Sequence, residues 1–391
     1  MAALLPSALA SQVCVAMFAP SREQCGISAY SAELIAALNV NPGVSIARVV
    51  QPPVDSQSDS HVQAIKGYSS MQRTYRSLGR LLDAKPAEII HIQHEYALFG
   101  GVAPHRSHAA ALYSTIKKPV IITVHEIAAE GSEPTRRSLI HWANLRNFVN
   151  PAIKGWVVHT THDRDRLMAL GVPLNAIFLV PLGIPAPPIL PDATDARERL
   201  NLQGKRVVTL FGFLSAKKGH LDAVQAVMQL PDEEVVLVIA GGKHPDDHTA
   251  YVADLRLRIE ALGAKDRVRI TGYLAEPELL QVLAATDVAV VPYLTSSGSA
   301  SLAQLLAAGI PVVASDIAAF QDVVAQVPGS LFLAPPADPS ELARALSDVL
   351  DSSVLRAGLI RSGQQYATNN SFSAVASRMV EIYRTVRTQC A

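Results

Sequence analysis

The sequence predicts an α/β protein built from two Rossmann-like, doubly wound domains. Three observations carry this prediction. Short, almost continuously apolar runs alternate with longer stretches of helical period, as expected for parallel strands covered by helices on both faces. A passage at residues 183–191 (GIPAPPILP) packs four prolines into nine residues and reads as a stiff spacer. The 391 residues are enough for two cores, since single domains cluster at roughly 100–200 residues.

In the first half, residues 13–19 (VCVAMFA), 89–92 (IIHI), 120–124 (VIITV), 156–159 and 177–180 (IFLV) read as buried strands, and 28–38 as a helix. After the spacer, a helix over 193–200 leads into strands at 207–211 (VVTLF), 235–240 (VVLVIA), 268–271, 288–292 (VAVVP), 311–314 (PVVA) and 330–333. Helical periods cover 221–228, 251–262, 276–285, 301–308 and 374–387. The expected division is 1–185, 186–372, and a C-terminal helix at 373–391 that either packs back on the first domain or stays with the second. In such folds a ligand lies at the carboxyl ends of the strands, here in a crevice between the two domains.

Composition narrows the function. Thirty-four Lys and Arg balance 34 Asp and Glu, so no global field draws the chain to nucleic acid or to an anionic membrane surface. With 49% hydrophobic residues and a mean hydropathy of +0.21, the chain is too apolar to be disordered. Cys14, Cys25 and Cys390 are too far apart for a disulfide framework or a cysteine zinc site, and fit a reducing, cytoplasmic compartment. No apolar run approaches the roughly 20 residues that span a bilayer. Residues 1–10 are apolar but lack a basic start, so no secretory leader is expected.

Four loops could carry chemistry. Gly26 sits between the first strand and its helix, where it either makes the turn or lets backbone approach a phosphate. His91-Ile-Gln-His94-Glu95 and His125-Glu126 end two strands. His91 alternates into the core, whereas His94, Glu95 and His125 are expected on the rim, for hydrogen bonding or acid/base work. No HExxH or His/Cys spacing supports a metal there. Gly212-Phe-Leu-Ser-Ala-Lys-Lys218-Gly219 places a cation beside a strand end, as a solvated Lys pair or a diphosphate partner. Ser296-Ser297-Gly298-Ser299-Ala300-Ser301 opens a helix with small residues. Its free N–H groups and dipole make an anion cradle, which one serine can also cap.

Taken in order, these segments resemble glycosyltransferase family 4, of the GT-B fold. The resemblance covers nearly the whole length. It rests on Cys25-Gly26-Ile27, His91 to Glu95, Thr123-Val-His-Glu126, Gly212-Phe-Leu with Lys218-Gly219, Ala240-Gly-Gly242, Val268 to Tyr273, and Gln304-Leu-Leu-Ala-Ala-Gly309-Ile-Pro-Val-Val-Ala. There are departures. The family's glutamate pair falls on Ser296 and Gln304, its arginine beside the phosphate lysine falls on Phe213, and the His or Asn of its Pro-His/Asn-Gly falls on Leu182.

The resemblance implies a retaining, metal-independent transferase that moves a sugar from a nucleotide-diphosphate sugar to a carbohydrate or other hydroxyl acceptor. It implies that the donor binds at Gly26, Gly212, Lys218, Gly272, Tyr273, Ser296, Ser297, Gly298, Ser299, Ala300 and Gln304. It places His125 at the reacting sugar and His94, Glu95 and Glu126 on the acceptor side. No cofactor, metal, nucleic acid or transmembrane segment is expected, and peripheral membrane contact is left open. Two readings from other classes stay open: a degenerate nucleotide-sugar-binding protein, and a nucleotide-sugar epimerase on the same scaffold. Donor and acceptor identity are expected to depend on loops such as 51–73 and 100–108.

Overall fold

The computed structural model describes residues 12–20, 25–51, 68–99, 108–127, 150–243 and 250–390. The chain divides into two units, Met1–Gly183 together with Phe372–Ala391, and Ile184–Ser371. Most of the two loops singled out for specificity, at 52–67 and 100–107, lies outside the described residues.

The first unit holds one six-stranded parallel sheet. Its strands are β1 (Val13–Pro20), β2 (Val44–Gln51), β3 (Ile89–His94), β4 (Val120–Val124), β5 (Ile153–Val158) and β6 (Ile177–Leu179), in the order β2-β1-β3-β4-β5-β6. Apolar side chains on both faces make these runs nearly unbroken, because helices cover both faces. On one face, Ile90, Ile92, Val120, Ile122 and Trp156 pack with Leu82, Leu112 and Tyr113 of the helices Tyr68–Asp83 and Ala109–Tyr113. On the other face, Val15, Met17, Ile89, Ile121 and Val157 pack with the helices Gly26–Asn39 and Phe372–Cys390.

The last helix therefore belongs to the first unit. Its Phe372 passes Gly183, where a Cβ would lie 2.5 Å from the Phe372 ring. A side chain at 183 would push the terminal helix off the point where the spacer begins.

The second unit repeats the architecture with β7 (Arg206–Phe211), β8 (Val235–Ala240), β9 (Val268–Ile270), β10 (Val288–Val291), β11 (Val312–Ser315) and β12 (Phe332–Ala334). Their order is β12-β11-β10-β7-β8-β9, again all parallel. Strand order reverses where β7 meets β10, so the loops after these two strands leave the sheet in opposite directions and open a place for a ligand. Helices enter with side-chain caps: Asp192 accepts from Thr194 and Asp195 N–H, and Asp338 from Ser340 and Glu341 N–H.

Candidate functional site

In the second unit the chemistry gathers at the reversal point. Gly212 follows β7 with a φ of 121° that suits glycine, and a Cβ there would lie 2.3 Å from Ser301 Oγ and 2.6 Å from Lys218 Nζ. The strand end, the lysine and the start of the helix Ala300–Ala307 thus meet at a point that tolerates only a hydrogen. The loop that presents Lys218 is pinned to β10's exit. Gly219 is left-handed (φ 63°), a Cβ there would come within 2.0 Å of Pro292 O, and Leu294 N donates to Lys217 O at 2.8 Å. Lys218 Nζ lies 5.1 Å from the centre of the Tyr293 ring and forms no ion pair among the described residues. Tyr293 OH and Ser215 Oγ are buried without hydrogen-bond partners among the described residues. Cation and orphaned hydroxyls together suit a polar, anionic ligand.

The small-residue loop is more ordered than its composition suggests. Ser296 Oγ accepts from Gly298 N at 3.1 Å and donates to Gly298 O at 2.8 Å. Ser299 is the N-cap, its Oγ accepting from Leu302 N at 3.0 Å. The Gly298 N–H is therefore occupied, and Ala300 and Ser301 carry the open donors of the first helical turn. Of the expected cradle donors, the Gly298 N–H is thus already taken by Ser296 Oγ. Gly298 also has φ 142°, so its glycine is needed by the backbone itself. Ser297 precedes it in the loop, and Gln304 follows one turn into the helix, half-buried.

Beside this point lies an aromatic ledge. Gly241 and Gly242 let neighbouring strand ends close up, since Cβ atoms there would meet Gly212 O at 2.0 Å and Tyr273 N at 2.8 Å. Gly272 turns left-handed (φ 80°), and Tyr273, 57% exposed, stacks on Phe213 with ring centres 6.2 Å apart and planes 21° apart. The residue standing in the family's arginine position thus offers a flat apolar face and no charge.

In the first unit, the strand ends carry a row of histidines. His125 follows β4. It is half-buried, its Nε2 is 2.8 Å from Gln93 Oε1, and its ring packs edge-on to Tyr30 at 5.1 Å. His159 follows β5 with its ring 5.2 Å from that of His125 and its Nδ1 2.9 Å from Val180 O. Burial, and then the neighbouring His159, His94 and His91, holds His125 well below the usual imidazole range. It is therefore a neutral imidazole at neutral pH. Burial likewise lowers His159 to about 4, with the Val180 carbonyl working the other way.

His94 departs from expectation. It is fully buried and stacks flat on Phe99, with centres 4.9 Å apart and planes 7° apart, and burial lowers it to about 3. β3 runs on to residue 94, so His94 falls on the opposite face from His91 and Gln93 and is not on the rim. Glu95 and Glu126 are only partly buried, at the strand ends. Gly26 opens the helix Gly26–Asn39 without a positive φ, and among the described residues no atom lies within 4 Å of a hypothetical Cβ there. Reading by strand ends missed Gln93, His159 and Ser301. Gln93 and His159 share the face of His91 and His125, a parity signal that the sequence does carry.

The class follows from these two parallel sheets: the chain has the GT-B fold of two Rossmann-like units. Within that class, residues 205–352 match the model of the family described as glycosyl transferases group 1. The sequence is 32% identical over 167 residues to 2-deoxystreptamine glucosyltransferase of Streptomyces kanamyceticus, covering 42% of this chain and 41% of that protein. It is 30% identical to D-inositol 3-phosphate glycosyltransferase of Xylanimonas cellulosilytica, covering 58% and 56%. The chain spans about half the length of the curated relatives it matches. Among solved structures, Anabaena Alr3699/HepE in complex with UDP and glucose superposes with a TM-score of 0.71 at 16% identity, over 96% of this chain and all of that one. Sucrose-phosphate synthase from Thermosynechococcus elongatus does so with a TM-score of 0.74 at 19% identity, over 97% and 100%. Among the described residues no helix is long and apolar enough to cross a membrane, and no group of three or more His, Cys, Asp or Glu is arranged to hold a metal ion.

Proposed function

We propose that this chain is a retaining, metal-independent glycosyltransferase that takes a sugar from a nucleotide-diphosphate sugar and passes it to a hydroxyl acceptor. The observation that carries the reading is the convergence of Lys218, Gly212 and the start of the helix Ala300–Ala307 at the reversal point of the second sheet. In this reading the leaving diphosphate meets the Lys218 ammonium and the Ala300 and Ser301 N–H groups, fixed positive ends that need no rearrangement as charge develops. The nucleobase lies by Gly272 and Tyr273, and Gln304 hydrogen-bonds the ribose diol. Neutral His125 serves the reacting sugar, and the first unit takes the acceptor, with Glu95 and Glu126 at its strand ends.

The reading is tested by incubating the chain with a panel of nucleotide sugars and following thermal stability and nucleoside-diphosphate release, with and without a chelator. A matching donor at a hundred times its Kd adds about 2.7 kcal/mol. Release that is unchanged by chelator supports the proposal. A panel in which no member binds or is consumed would overturn it, and dependence on a divalent ion would overturn metal independence.

The missing glutamate pair motivates a second reading, a protein that binds a nucleotide sugar without transferring it. Ser296 argues for the enzyme, because its hydroxyl both accepts from and donates to Gly298, and a carboxylate could not donate. Ser296→Glu should therefore loosen the loop and lower turnover about tenfold, the equivalent of one hydrogen bond near a charge. The double change Ser296→Glu with Gln304→Glu separates the readings. A clear gain in donor turnover would speak for a decayed family member.

A further inference from the structure

We propose that Gln93 is a positioning residue that holds His125 in its Nε2–H form, as the last link of a buried hydrogen-bonded chain running from Tyr383 through His91 and Gln93 to His125. The chain lies wholly within the first unit, and its bearing on catalysis rests on the reading of His125 given above.

Polarity along the chain follows from what each group is able to do. The amide oxygen of Gln93 only accepts, so the His125 Nε2, 2.8 Å away, carries a proton and donates. The Gln93 amide nitrogen only donates, and it faces His91 Nε2 at 3.4 Å and the Met17 thioether at 3.9 Å, a sulfur that cannot donate in return. His91 Nε2 therefore accepts, its one lone pair taking the Thr123 hydroxyl at 2.8 Å with the Gln93 N–H as the longer, weaker contact. The His91 proton then sits on Nδ1 and is donated to Tyr383 OH at 2.7 Å. Reversing the Gln93 amide would set its oxygen against the sulfur.

Gln93, His91, Thr123 and Tyr383 are all fully buried. A buried amide costs desolvation unless both ends are bonded, and here each end faces a histidine. An apolar side chain in that volume would leave the His125 Nε2–H without its acceptor, so the amide does more than pack. It leaves the lone pair of His125 on Nδ1. The groups around His125 are His159 at the end of β5, Tyr30 on the helix Gly26–Asn39, His91 on β3, and His94 acting electrostatically from the other face of β3, with Glu126 next along the chain. The three neighbouring histidines are held neutral by burial.

The experiment uses the full chain labelled with 15N-histidine, with His125 assigned by its loss in His125→Gln, and a pH profile of donor turnover. The wild type should show a protonated Nε2 and an unprotonated Nδ1 at His125 from pH 6 to pH 8, in the window where a free imidazole titrates. Gln93→Glu keeps the shape but supplies a carboxylate that favours the imidazolium. It should shift His125 towards the doubly protonated form and bring an acid limb on which turnover falls about tenfold per pH unit. A residue that only fills space would lower turnover evenly at every pH.

A wild-type His125 protonated on Nδ1 overturns the proposal, and this needs no variant to fold. Gln93→Glu with the histidine shifts and pH profile of the wild type overturns it as well. If the wild type consumes no nucleotide sugar, the functional reading falls, while the nitrogen shifts still decide the hydrogen-bonded chain.

Discussion

Lys218→Ala should weaken binding of a nucleoside diphosphate by about 10- to 100-fold, the loss of one or two hydrogen bonds to a charged group. Nucleoside binding should change less than twofold, roughly a few tenths of a kcal/mol. The separation follows from the geometry. Lys218 is held at the end of β7 by the left-handed Gly219 turn, by Leu294 N donating to Lys217 O, and by the Tyr293 ring beneath its ammonium. Its charge is therefore presented at one place, so the cost of ordering a long side chain falls in folding and not in binding. Arginine should rescue poorly. Gly212 leaves only the room of a hydrogen beside Nζ, and a planar guanidinium is broader than an ammonium. Titration calorimetry with nucleoside, nucleoside diphosphate and nucleotide sugar checks this. An equal loss for all three ligands would mark Lys218 as a structural residue.

Much of this arrangement was legible in the sequence because parallel strands buried on both faces write themselves as apolar runs. β4 and β8 occupy the residues that the pattern predicted. β2 was not foreseen. It lies at the sheet edge, and Val44, Ser45, Ile46 and Ala47 alternate between buried and more open positions, so its run is diluted by polar residues. In the site, residue types were easier to read than their parity. Whether His94 faced the rim or the core depended on how far β3 continued, and two further residues of strand turned it under Phe99. The same parity put Gln93 beside His91, where a polar residue between isoleucine and histidine passes for filler. The loop at Ser296 was read as small, but not as closing one of its own N–H groups, that of Gly298. A hydroxyl that closes on its own backbone two residues later has no signature beyond a serine near a glycine.

His125→Ala should lower sugar transfer by about 100- to 1,000-fold, within the range that a positioned acid–base group supplies. A nucleoside diphosphate should bind as before, because its partners are all in the second unit. The pH dependence gives the sharper form of this expectation. Burial and three neighbouring histidines depress the His125 pKa, so in the folded protein the imidazole is neutral through the whole range in which a free histidine titrates. Lowering the pH from 8 to 6 therefore should not protonate it, and its contribution to turnover should stay level. An ordinary histidine with a pKa near 6.5 would lose activity over that interval. Alanine also strands the Gln93 amide oxygen in the core, at a cost of about 1–3 kcal/mol. The thermal midpoint must therefore be recorded with each rate, and His125→Gln provides a variant that can still donate to that oxygen. Transfer close to wild type in both variants, with folding intact, would remove His125 from the chemistry and leave Glu95 and Glu126 as the groups at the strand ends. Transfer lost in the alanine variant and partly kept in the glutamine variant would assign the work to the side chain and to its donation from one defined nitrogen.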